Sequence, residues 1–370
     1  MHAQLHATCE ATMVRQTHMT ALPGWRVEAS KRPETDDRLE KCSLVIATYD
    51  RQAEVKRLLD ALLSISDPPR EVVIVDGHAA PEFSRRLREW ADSQAVPFDL
   101  VYVESPPGLT RQRNVGADIS TRPYVFFLDD DAVPLSGYFR ETARVFENDR
   151  RMRIGGIAGC PMNEVGRPLV GRWRLRMALG IVPKLEPLAY YPTGTSVPHC
   201  LLQPFSGVRH VDVMPGCGFT LRREVLDTER FSCFFEGYSQ GEDMEMSLRV
   251  GRRWEIVCCG DARLLHLQAA HGRPVSYTRG RMDMRNRYFI WRRHTPHPAA
   301  LLVARFWADV AMLAAMDCAW FCSRPWKPDP LGHAAGLMVE GLRSLVRAPR
   351  FEEPPARREY ALAAGDTVHG

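Results

Sequence analysis

The sequence predicts an α/β fold, with a mostly parallel central sheet flanked by helices and a helical extension at the C-terminus. Three observations point there. From residue 43 onward, short runs rich in β-branched residues alternate with helical patterns. The runs are apolar throughout rather than at every second position, as strands buried on both faces of a parallel sheet are. Several end in polar residues, at Thr48, Asp76 and Asp129 to Asp131, where an open α/β sheet binds its ligands.

The elements follow in order. Residues 1–40 lack apolar periodicity and contain Pro33 and Asp36-Asp37, so they read as a loosely ordered leader. A strand at 43–48, a helix at 53–64, a strand at 71–75 and a helix at 82–93 come next. A strand at 100–104, a helix at 111–119 and a strand at 124–128 continue the alternation, and residues 136–147 read as helix. Residues 162–210 are rich in Pro and Gly, with Trp173, Tyr190 and Tyr191, and read as a long irregular insertion. Acceptor recognition and a purely structural excursion are equal readings of it. Beyond it lie a strand at 219–221, a short helix at 223–228, a helix at 242–251, a strand at 255–259 and a basic helix at 277–294.

Residues 299–322 form an amphipathic helix. Arg305, Asp309 and Asp317 share about a third of its circumference, leaving a broad apolar face with Leu302, Phe306, Leu313 and Trp320. That face packs on the protein, on a second copy in a homodimer, or on a membrane surface. Residues 295–345 are thus amphipathic C-terminal helices, and 346–370 a flexible tail.

Composition excludes several classes. The formal net charge is +4, and Lys occurs only at 31, 41, 56, 184 and 327, so nearly all positive charge is Arg, which suits anionic ligands. The ten Cys include no CxxC pair, and the first thirty residues hold no apolar signal-peptide core. Reduced thiols in a cytoplasmic protein are expected, peripheral at the inner face of the membrane if 299–322 meets lipid. No apolar run reaches the roughly 18 to 20 residues of a spanning helix. Arg273, Arg279, Arg281, Arg285, Arg287, Arg292 and Arg293 form a basic concentration without the interleaved aromatics of a nucleic-acid platform, so no nucleic acid is expected. A dinucleotide fold fails at its defining turn, because the first strand runs into Thr48-Tyr49-Asp50-Arg51 with no GxGxxG.

The candidate chemistry lies in four segments. Phe126-Phe127-Leu128-Asp129-Asp130-Asp131, closed by Pro134, delivers three carboxylates to the end of a strand. Oxygen ligands suit magnesium or manganese, which take one or two carboxylates plus substrate phosphates; a solvated turn is the bland alternative. Glu242 and Asp243 fall in the first turn of a helix, where the dipole keeps a carboxylate ionised and available as a base, or where they simply cap it. Residues 108–116 open a helix with Arg111 and Arg113, fit for phosphate or for a capped surface helix. His266, after a strand-like 263–265, is a ligand, a substrate contact or structural, and His271 less so; neither fits HExxH.

In this order the segments resemble the family 2 glycosyltransferases of GT-A fold, which move a sugar from a nucleotide donor with inversion. The resemblance covers residues 42–294. Residues 42–51 look like that family's opening strand and turn, and 71–77 like its second strand. Arg113-Asn114 with Gly116 matches the ARNxG-like helix start, and Phe127 to Asp131 with Pro134 the metal signature. Residues 215–223 are similar to the GxNxxxRR segment, Gly241-Glu242-Asp243 to the ED motif, and Arg285-Asn286-Arg287-Tyr288 to the RNR segment after the family's His, here His266.

The resemblance implies a GT-A domain at 41–294, with a nucleotide-binding half at 41–135 and an acceptor half at 136–294. It implies Asp243 as general base beside Glu242, and Mg2+ or Mn2+ held by Asp131, Asp129 and His266. Thr48, Tyr49, Asp76, Arg113, Asn114, Asp129 and Asp130 would hold the nucleotide-sugar donor, and Arg285 or Arg287 would close over its diphosphate. The acceptor is a hydroxyl on a glycan, a lipid-linked or a small molecule. A sugar nucleotidyltransferase is the rival enzyme, but 48–52 lacks its Gly-rich loop. A non-catalytic membrane-surface protein of degenerate GT-A fold rests on 299–322.

Overall fold

In the computed structural model, which describes residues 20–29, 36–78, 80–168, 170–235, 237, 239–269, 275–347, 349–351, 358 and 360–362, four strands form the expected parallel block. These are β3 (Cys42–Thr48), β4 (Glu71–Asp76), β5 (Asp99–Glu104) and β6 (Tyr124–Asp129), ordered β6-β3-β4-β5. The helices α1 (Gln52–Ser64), α2 (Pro81–Ser93) and α3 (Leu109–Ile119) are the crossovers between them. Each strand presents apolar side chains on both faces, so each face carries its own core. Leu44, Ile46, Val72, Ile74 and Phe126 pack on one side, and Val45, Val73, Val75 and Phe127 on the other.

Gly116 sets the depth at which α3 lies on this block. A Cβ there would sit 2.2 Å from Cγ1 of Val45, so only glycine lets the helix approach β3 so closely. The approach carries Arg113, one turn earlier, under the end of β6.

Beyond β6 the sheet becomes mixed. The chain passes through β7 (Ala132–Pro134), α4 (Tyr138–Asn148) and β8 (Ile154–Pro161), then an insertion holding α5 (Gly171–Ala178), the hairpin β9 (Tyr190–Tyr191) and β10 (Thr195–Ser196), and β11 (Val208–His210). Next come β12 (Gly218–Arg222), α6 (Arg223–Thr228), α7 (Glu242–Val250) and β13 (Glu255–His266). β12 is antiparallel to both β6 and β8, whereas β13 is parallel to β8 and also pairs with β7 and β11. Residues 162–210, expected to be irregular, thus contain regular elements and supply an edge strand. β13 reaches His266 rather than ending at 259, because its pairing resumes after a register shift between Cys258 and Arg263.

Both chain ends differ from expectation. In the expected leader, β1 (Thr20–Leu22) and β2 (Gly24–Val27) form, and β2 pairs antiparallel with β5 at the sheet edge. Trp25 holds it there, stacked on Tyr102 at 5.6 Å and donating its indole N–H to Ser84 Oγ at 3.0 Å. In the expected tail, β14 (Tyr360–Leu362) pairs in parallel with β1. Residues 1–19 and 30–35 of the leader and 363–370 of the tail lie outside the described residues, as do His271 and Arg273.

The C-terminal helices are α8 (Ser276–His294), α9 (Ala300–Ser323) and α10 (Asp329–Val346). The expected polar stripe of α9 is turned inward rather than toward water. Asp309 is wholly buried, bonded by Nε of Arg176 from α5 at 2.7 Å, by Oγ1 of Thr195 at 3.1 Å and by Arg287 of α8. The insertion, α8 and α9 are therefore one body. Among the described residues, no helix is long and apolar enough to cross a membrane.

Candidate active site

A cleft of about 1050 Å³ opens at the carboxyl ends of β3 and β6, bounded by the start of α7, the end of β13 and the C-terminal helices. Thr48, Tyr49, Asp129, Asp130, Asp131, Glu242, Asp243 and His266 all line it. Segments far apart in sequence thus meet as their motifs require.

At one end the strand terminus fans its three carboxylates in different directions. Asp130 turns toward β3, accepting from Thr48 Oγ1 at 2.9 Å and Arg51 Nη1 at 3.0 Å. Burial pushes its carboxyl up to about 6 even against that guanidinium. Asp131 turns toward the end of β13, where its Oδ2 accepts from the Ala269 amide at 2.7 Å and its Oδ1 lies 3.5 Å from His266 Nε2. Burial works against its charge, but these contacts hold its carboxyl below the ordinary value.

Asp129, Asp131 and His266 bring one ligand atom each within 4.8 Å of one another. Two carboxylates and an imidazole suit a divalent ion such as magnesium or manganese, so the residues present fit the cation the sequence implies. Asp130 is not in this group, being committed to Thr48 and Arg51.

Glu164, at the start of the insertion, carries no sequence signal and is central. It is buried, pairs with His266 Nδ1 at 2.9 Å, and is also bonded by His199 and Gln268. Burial opposes its ionisation, yet these partners hold its carboxyl well below the usual range. Burial likewise opposes charge on His266, but Asp131 and Glu164 raise its imidazole to about 10.

At the other end, Glu242 and Asp243 open α7 after Gly241, whose φ of +88° needs glycine. Asp243 Oδ1 accepts from the Met244 amide at 2.8 Å. A Cβ at Gly216 would meet Asp243 Oδ2 at 3.0 Å, so this segment leaves just enough room for the carboxylate. Burial raises the pKa of Asp243, and burial with the Asp243 charge pushes Glu242 up to about 8.

Five expected donor residues do not line the cleft. Arg113 lies beneath it, donating to Asp129 at 2.9 Å, Glu242 at 2.8 Å and the Gly216 carbonyl at 2.9 Å, so it couples the two acidic ends from below. Asn114 exchanges two 2.9 Å hydrogen bonds with the Phe231 backbone. Asp76 accepts from the His78 amide at 2.8 Å and Tyr102 Oη at 2.9 Å. Arg287 is spent on Asp309, Thr195 and the Gly194 carbonyl, and Arg285 lies over the Phe234 ring and donates to its carbonyl at 3.1 Å. Their motifs place them beside the site; their partners keep them from its surface.

The C-terminal helices supply a wall that sequence reasoning missed. Arg279, Asp283, Leu313, Asp317 and His333 line the cleft. His333 bridges Asp317 through Nδ1 at 2.6 Å and Asp283 through Nε2 at 2.9 Å, tying α10 to α9 and α8.

An open sheet with this strand order, an acidic carboxyl end and a helical wall has the GT-A-like architecture of glycosyltransferases. The chain belongs to glycosyl transferase family 2, whose sequence model matches residues 43–228. A relative from Haemophilus influenzae described as an uncharacterized glycosyltransferase is 34% identical over 125 residues, covering 34% of this chain and 41% of its own length. Polypeptide N-acetylgalactosaminyltransferase 13 of Rattus norvegicus, Mus musculus and Homo sapiens is 24% identical over 261 residues, 65% of this chain and 44% of its own. The chain thus spans about two fifths of the length of these curated relatives. Among solved structures, mannosyltransferase PcManGT from Pyrobaculum calidifontis, in complex with GDP-Man and Mn2+, aligns with a TM-score of 0.49 and 15% identity, over 88% of this chain and 89% of its own.

Proposed function

We propose that the chain is an inverting glycosyltransferase that moves a sugar from a nucleotide-diphosphate donor to an acceptor hydroxyl. The observation that carries this is the union, in one cleft, of the Asp129, Asp131 and His266 cluster with the separate carboxylate of Asp243. One end has the ligands for a cation on a diphosphate, and the other has a base for an acceptor.

Thr48 and Tyr49 line the donor end, and Asp130 fixes Thr48 and Arg51 there. Asp129, Asp131 and His266 would hold Mg2+ or Mn2+, and a bound ion would supply charge neutralisation for a departing diphosphate. Asp243 takes the proton of the acceptor hydroxyl as its oxygen attacks the anomeric carbon. The bond to the phosphate oxygen breaks on the opposite side, its electron pair leaving with the nucleoside diphosphate, so one displacement inverts the centre. Burial of Asp243 raises its basicity for that task. Residues 41–135 serve the nucleotide and 136–294 the acceptor, with 295–345 closing the cleft.

A panel of nucleotide sugars, measured by thermal shift with and without manganese, tests the proposal. At ligand about 100-fold above Kd the stabilisation is about 2.7 kcal/mol, a shift of several degrees. If manganese changes the effect of no nucleotide sugar, the proposal is lost.

A further inference from the structure

A second cavity adjoins the cleft. It is a groove of about 580 Å³ between α5 and α9, lined by Val170, Gly171, Arg172, Leu175 and Met316. Arg172 lines both cavities, so the two meet at this one side chain. Everything else lining the groove is apolar or glycine. Leu179, one turn beyond Leu175, and Trp320, one turn beyond Met316, are also more than 40% exposed. Apolar surface gathered in this way marks a binding site more often than chance exposure does.

The groove is already formed. Its walls are held together by the buried Arg176 to Asp309 ion pair between α5 and α9. A Cβ at Gly171, which lines the groove, would meet nothing within 4 Å, so a larger side chain fits there without a clash. A ligand would not have to pay for ordering the groove. At the junction Arg172 is exposed, and among the described residues no carboxylate pairs with it.

We infer that this groove holds the apolar chain of the acceptor, with Arg172 contacting an anionic group that joins that chain to the polar head in the cleft. The inference rests on the proposed glycosyl transfer and names its acceptor class, an amphiphile with a phosphate-like charge between head and tail. A protein partner is a poorer fit, since stable interfaces cover about 800 Å² per side and this groove has only five lining residues. Its junction with the cleft also favours one ligand spanning both cavities.

The test uses the full chain and decyl phosphate below its micellar concentration, with butyl phosphate and inorganic phosphate as controls, measured by calorimetry. Each fully buried methylene is worth about fourfold in affinity, so an open groove should favour decyl over butyl phosphate by at least about tenfold. Gly171→Trp, which fills the groove from an unobstructed position, and Met316→Asp should each remove that gain while leaving manganese binding unchanged. Arg172→Ala should weaken decyl phosphate but not decyl glucoside. Equal affinity for the two chain lengths, or a gain that survives both groove substitutions, overturns the inference. So does binding to anionic vesicles without binding of monomeric decyl phosphate, or groove-dependent self-association without a chain-length effect. Failure of the nucleotide-sugar panel would instead strike the transfer reaction, because the chain-length measurement needs no donor.

Discussion

Glu164 pairs with Nδ1 of His266 at 2.9 Å, which turns the opposite edge of that ring toward Asp131. A carboxylate behind a ligating imidazole fixes the ring's orientation and tautomer and makes it a better donor. Glu164→Gln should therefore lower manganese affinity about 10- to 100-fold with the fold intact. Calorimetric titration with manganese decides it, and an unchanged affinity would remove Glu164 from the cation end.

Asp131 belongs to the cation cluster, whereas Asp130 is committed to Thr48 and Arg51. Asp131→Ala should abolish the manganese dependence of donor binding. An undiminished manganese effect in this variant would refute the assignment.

Asp243 lines the opposite end of the cleft. Asp243→Asn should preserve metal-dependent donor binding and lower turnover by about 10²- to 10⁴-fold, the usual contribution of a general base. Turnover at the wild-type rate would show that another group takes the proton.

Arg113 is buried between Asp129 and Glu242. Replacing it with Met leaves those carboxylates without their shared cation, a loss of about 3 to 5 kcal/mol by analogy with broken buried pairs. Adding Glu242→Gln should recover part of this, because one of the two carboxyl groups left without its guanidinium partner is then removed. Chemical denaturation of both single variants and the double variant measures the coupling, and strict additivity would show that Arg113 and Glu242 act independently.

His333 offers a pH test away from the cation. Hydrogen bonds donated to the carboxylates of Asp283 and Asp317 raise its pKa above the ordinary 6.5, against the effect of burial. Its contribution to stability is therefore full below the unfolded value and is lost as pH rises through the folded one. His333→Gln should lower Tm clearly at about pH 5.5 and much less at about pH 9. An equal loss at both values would mean that the imidazole acts only by packing.

Much of the sheet and many of the residues gathered in the cleft were legible in the sequence, because strand patterns and polar strand ends are local. Thr48, Asp129, Asp131, Asp243 and His266 each sit at the end of an element with its own pattern, and the fold only had to gather them. Partner choice was not legible. Arg113 and Arg287 read as phosphate ligands by charge and position, but long-range carboxylates claim them, Glu242 from 129 residues away and Asp309 from another helix. Glu164 was invisible for the same reason, as a single acidic residue in an irregular stretch. The burial of Asp309 was not legible either, because helical periodicity shows which residues share a face, not what covers it.

The wall built from α8, α9 and α10 lies wholly beyond residue 228, where the family match stops. The cleft is thereby lined both from the stretch that matches the family and from a stretch beyond it. The strands that present Thr48 and the Asp129 to Asp131 run lie inside the matched stretch, while Arg279, Leu313 and His333 lie outside it, on helices that Asp309 locks to Arg176 and Thr195 of the insertion.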